Sequence, residues 1–147
     1  MNSVIYQFLN EPRRLKNKIL IIESEIEDLR TAMLPGAIRY DKDSVMCSPE
    51  DKMIEYAIRL ELLAAKRDKL MAEYEVAYAE FMVAMSILTD KQGKVLSLKY
   101  LDGKSNAQIS KELGVDKRNV LRRCDRAYEL ILNEILTATS RIKYNVL

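Results

Sequence analysis

SNAQISKELGVDKRNVLRRCDRAY, residues 105–128, decides the fold. Ser105 and Gln108 have the spacing of a capping box, a helix start in which side chain and backbone satisfy each other's donors. Asp116 stands where a second helix can be capped. Between them Gly114 supplies a tight turn, because glycine tolerates a positive φ. Ile109, Leu113, Val115 and Val120 are spaced to fill a small core between the two helices. A short helix, a glycine turn and a longer helix make a helix-turn-helix, the motif that lays its second helix in a DNA groove.

The second helix has one free face. At about 100° per residue, Val120, Cys124, Ala127, Ile131 and Ile135 gather on one side. Arg118, Asn119, Arg122 and Arg126 fall on the other, with Lys117 at the exposed start and Arg123 on the flank. Five cations lie within residues 117–126. An arginine fork matches guanine O6 and N7, and an asparagine amide matches adenine N6 and N7. Lys117, Arg118, Asn119 and Arg122 are therefore the candidate base readers. Arg123 and Arg126 are candidate phosphate contacts, as are Lys104 and Lys111. Ser105 completes the candidate set.

Upstream, Thr89-Asp90-Lys91-Gln92 forms another capping box and opens a helix over 90–101. The turn at 102–104 leads to a helix over 106–113, and the longer helix spans 117–136. Charge supports this division. Residues 1–88 hold 12 Lys/Arg against 15 Asp/Glu, a net −3, and residues 89–147 hold 12 against 7, a net +5. A polyanion would meet the basic half.

The first 88 residues have another rhythm. Leu15, Ile19, Ile22, Ile26, Leu29 and Met33 alternate by four and three, the seam of a coiled coil. Pro12 marks the expected start of this helix, since a first-turn proline loses no hydrogen bond. Leu34-Pro35-Gly36 marks its end. Residues 37–47 show no helical period and read as an ordered connector. Ser48-Pro49-Glu50-Asp51 then opens a long helix. Its seam runs Met53, Tyr56, Leu60, Leu63, Arg67, Leu70, Tyr74, Ala77, Phe81, Ala84 and Leu88. At about 1.5 Å per residue this helix would reach about 54 Å and the first about 33 Å. The rest of the seam must meet the N-terminal VIYQFL, the C-terminal domain or a second subunit.

The expected fold is all-α. An antiparallel, coiled-coil-like hairpin (1–88, with an oligomerisation role) precedes a helix-turn-helix domain (89–147). Four glycines and three prolines fit long helices better than strands. Histidine is absent, and Cys47 and Cys124 lie far apart, so zinc-finger and His-based catalytic patterns are excluded. No metal or other cofactor is expected. The carboxylates fall on solvated helix positions, which argues against an enzyme. No apolar run nears the ~18 residues of a membrane span, and the start lacks the features of a signal peptide, so a cytoplasmic protein with no membrane partner is expected.

Residues 88–130 resemble the fourth conserved region of sigma factors. The shared features are the Leu-Thr-Asp start, Val95-Leu96 with Tyr100-Leu101-Asp102-Gly103, Ile109 with Leu113-Gly114-Val115, and Val120, Arg123 and Arg126-Ala127. That family reads bases from the positions held here by Lys117, Arg118 and Arg122. The aromatic helix that opens promoters is missing, and there is no Trp. The whole chain is similar to small phage proteins of Gram-positive bacteria, the RinA- and ArpU-type late-gene regulators, including at 39–49. The resemblance implies a DNA-binding transcriptional regulator that activates phage late genes. Its expected partners are double-stranded DNA and a second copy of the chain, with RNA polymerase a further candidate. The alternatives are a sigma-like factor tethered to polymerase and a DNA-packaging adaptor of the small-terminase kind. The usual order of elements in that adaptor is the reverse of the order here.

Overall fold

A computed structural model describes residues 3–35 and 49–145, with no side-chain placement for residues 49, 136 and 138–145. The connector expected over 37–47, with Cys47 and the capping Ser48, lies outside the described residues. All regular structure among the described residues is helical: α1 (Ser3–Ala32), α2 (Pro49–Ser86), α3 (Asp90–Leu96) continued by a π-helical segment (Ser97–Leu101), α4 (Asn106–Leu113) and α5 (Lys117–Asn145). The all-α fold, with a helical hairpin ahead of a helix-turn-helix, is as expected. No helix among the described residues is long and apolar enough to cross a membrane.

Two compact units form: Arg14–Glu75, and Met1–Arg13 with Val76–Leu147. The unit of residues 14–75 is the hairpin. Leu15, Ile19, Ile22 and Ile26 are buried along α1, as their spacing requires. Every α2 seam position from Met53 to Tyr74 is half-buried. Arg67 keeps its head at the edge of the seam, where Nη2 lies 3.3 Å from Asp68 Oδ1. Its stem covers apolar surface while the charge stays wet.

The other unit holds the helix-turn-helix. Its core joins Ile5 and Leu9 of α1, Phe81 and Ala84 of α2, Val95, Leu96, Leu98 and Tyr100 of α3 and the π segment, Ile109 of α4, and Val120, Cys124, Ala127 and Ile131 of α5. Two helix boundaries differ from the sequence reading. First, α1 starts at Ser3, and Pro12 lies inside it, buried. An internal proline costs about 3 kcal/mol. Ile5 and Leu9, at 2% and 0% exposure, together recover about 3–6 kcal/mol by burial. Tertiary packing therefore carries α1 through the proline that local rules would place at its start. It also covers the end of the α2 seam, where Ala77, Phe81 and Ala84 are buried. Second, α5 continues past 136 to Asn145, since neither glycine nor proline interrupts it.

Local rules hold closely in the C-terminal helices. Both capping boxes form. Thr89 Oγ1 accepts from the Gln92 amide at 3.3 Å, and Ser105 Oγ accepts from the Gln108 amide at 3.3 Å. The returning bonds run from the Thr89 and Ser105 amides to the glutamine side chains, at 3.2 and 2.9 Å. The carbonyl of Asp116 receives the amides of Asn119 and Val120, starting α5.

Candidate nucleic-acid interface

The turn between α4 and α5 sets the angle of the exposed helix. Gly114 has φ 66° and ψ 32°, the left-handed conformation that its position demanded. Ser110 and Val115 lock the turn from both sides. The Val115 amide donates to the Ser110 carbonyl at 3.2 Å, and the Ser110 hydroxyl donates to the Val115 carbonyl. Ile109 and Val120 are fully buried beneath the turn, with Leu113 and Val115 partly buried beside them.

This packing fixes the roll of α5. Val120, Cys124, Ala127 and Ile131 face inward, and Lys117, Arg118, Asn119, Arg122 and Arg126 are exposed. Arg123 is half-buried on the flank. Tyr128 anchors the same helix, its hydroxyl 2.5 Å from that of buried Tyr100 on the π segment. Burial pushes Cys124 up from its ordinary value, so its thiol stays protonated at neutral pH.

The candidate residues separate into three places. Lys117 and Arg118 stand at the exposed start of α5. Asn119, Arg122, Arg123 and Arg126 line a concavity of about 390 Å³ whose opposite wall is Thr89, Lys91 and Gln92, at the start of α3. Lys104 and Ser105 lie at the start of α4. The Lys104 ammonium is engaged by Glu112, which reduces its charge toward any other anion. The Ser105 hydroxyl accepts a capping bond and keeps its own proton to donate.

Lys91 is the functional candidate that sequence reading missed. It belongs to another helix, and only the fold brings it to the arginines. Four cations and no carboxylate line the concavity. Such a surface fits a phosphate oxygen, which accepts hydrogen bonds from several donors at once. Among the described residues, no three of His, Cys, Asp or Glu are grouped to hold a metal.

No curated protein and no solved structure matches the chain. The family model described as Sigma-70, region 4 matches residues 78–131, from the end of α2 through α3, the turn and the first half of α5. Residues 78–131 are a sigma-70 region 4-like helix-turn-helix domain.

Proposed function

We propose that the chain is a sequence-specific DNA-binding transcriptional regulator that reads the major groove with the start of α5. The observation that carries this reading is the split of α5. One face is buried in the core, and the other presents Lys117, Arg118, Asn119 and Arg122 to solvent. The match to Sigma-70, region 4 supports DNA binding and a role in transcription. Lys117, Arg118, Asn119 and Arg122 contact base edges in this reading. Lys91, Arg123 and Arg126 hold phosphates, with Lys104 and Ser105 at the margin.

The role is binding, not catalysis, and needs no cofactor. The finer reading rests on the likeness to RinA- and ArpU-type proteins: activation of phage late genes, in the cytoplasm of a bacterial host, by a self-associating protein. The Sigma-70 region 4 match also favours a second reading, in which RNA polymerase tethers the chain as a partner. Selection of bound fragments from genomic DNA by the purified protein, at stated salt, tests the proposal. Enrichment of promoter-proximal sites is expected. Enrichment at a packaging site would favour the adaptor alternative, and absence of any enriched sequence would overturn specific binding.

A further inference from the structure

Helix α2 carries a second apolar face. Positions 58, 62, 65, 69, 72, 76, 79 and 83 alternate strictly by four and three, and only Lys69 among them is polar. This is a heptad seam turned about 150° round the helix from the first. All eight positions are exposed, with Leu62, Val76 and Val83 at 66%, 60% and 67%. Over the same helix, the first seam is buried or half-buried throughout. The second seam extends about 38 Å along α2.

The pattern is complementary to itself. Let a second α2 lie antiparallel, with a two-fold axis between positions 70 and 71. Every seam position then meets another seam position. Leu62 faces Ala79 of the partner subunit, Val76 faces Ala65, Lys69 faces Ala72 and Ile58 faces Val83. A larger side chain meets an alanine in three of the four layers, which lets the helices approach closely.

The flanking charges agree with this register. Lys66 comes beside Glu73 of the partner subunit, and Arg59 beside Glu80 of the partner subunit. Symmetry repeats each pair, so four opposite-charge pairs line one edge. Asp68 and Glu75 meet on the other edge, where Arg67 already pairs with Asp68 at 3.3 Å. Lys69, in the seam between them, offers a further counter-charge. At the end of the seam, Val76, Ala79 and Val83 also form part of an apolar groove of about 520 Å³ with Phe8 and Ile131.

We propose that the exposed seam of α2 is the antiparallel interface of a homodimer, with its two-fold axis between Leu70 and Met71. The inference deepens the self-association part of the proposed function and stands independently of DNA binding.

Sedimentation of the full chain over the micromolar range tests it. The wild type should run as a dimer. Val76→Glu should run as a monomer with unchanged helical circular dichroism. Lys66→Glu and Glu73→Lys should each weaken the dimer about tenfold or more, since each turns two attractions into repulsions. The double variant should regain wild-type association. Positions 66 and 73 are seven apart and cannot pair within one helix, so rescue reports on the contact between copies. A monomeric wild type would overturn self-association altogether. A wild-type dimer indifferent to Val76→Glu and to both charge changes would overturn this interface and leave self-association through another surface. Folded single variants that the double change does not rescue would overturn the register.

Discussion

At the residue scale, the roles along α5 divide by position. Arg118→Ala and Arg122→Ala should each cost about 1–3 kcal/mol on the specific site and relax base preference. A binding-site selection repeated with each variant checks this, and unchanged affinity and preference in both would remove them from the groove. Lys91→Ala and Arg126→Ala should instead weaken all sequences alike and lower the salt slope by about one each. A sequence-selective loss in either would reassign that residue to base reading. Gly114 tests the turn. A Cβ there would have open space around it, so substitution costs backbone strain alone. Gly114→Val should lose about 1–3 kcal/mol, and Gly114→Asn, which visits the left-handed region more readily, should lose less. Thermal unfolding of the two variants side by side measures the difference.

At the element scale, legibility followed locality. The capping boxes at Thr89 and Ser105 and the left-handed Gly114 depend on residues within one turn, and they formed where their spacing put them. Pro12 fits a helix start by its local rule, and that rule is outweighed by the burial of Ile5 and Leu9, whose partners lie far along the chain. The second seam of α2 is not needed to explain the helix, because the first alone accounts for it. Lys91 is not legible in the sequence, because tertiary packing alone brings it to α5. The π segment and its Tyr100–Tyr128 bond were equally unreadable, and they carry a pH prediction. Burial, and then the bond to Tyr100, push Tyr128 up from the usual tyrosine range, and burial pushes Tyr100 up as well. Groups raised in the folded state contribute stability that is full below their unfolded value of about 10 and is lost as pH climbs beyond it. The unfolding temperature should therefore fall above about pH 10, and Tyr128→Phe should lessen the fall. A parallel decline in wild type and variant would show that the pair does not govern it.

At the scale of the whole molecule, DNA affinity and self-association are linked through arithmetic, not through a shared surface. A dimer carries two copies of the α5 reading face. When one copy binds, the other searches a restricted volume, and its second contact is made at an effective concentration well above that in solution. Two half-sites on one duplex should therefore bind the wild type about a hundredfold or more tighter than one half-site, once their spacing matches the dimer. Val76→Glu removes the linkage and leaves the exposed reading face of α5, residues 117–126, unchanged. It should match the wild type on a single half-site and lose the gain on the paired sites. Titrations on both duplexes, across a series of half-site spacings, measure each term separately. If no spacing gives the wild type a gain, the two faces do not engage one duplex together. If Val76→Glu weakens single-site binding as much as paired-site binding, the substitution has damaged the reading unit itself. Loss confined to the paired sites would place the avidity in α2 and the specificity in α5.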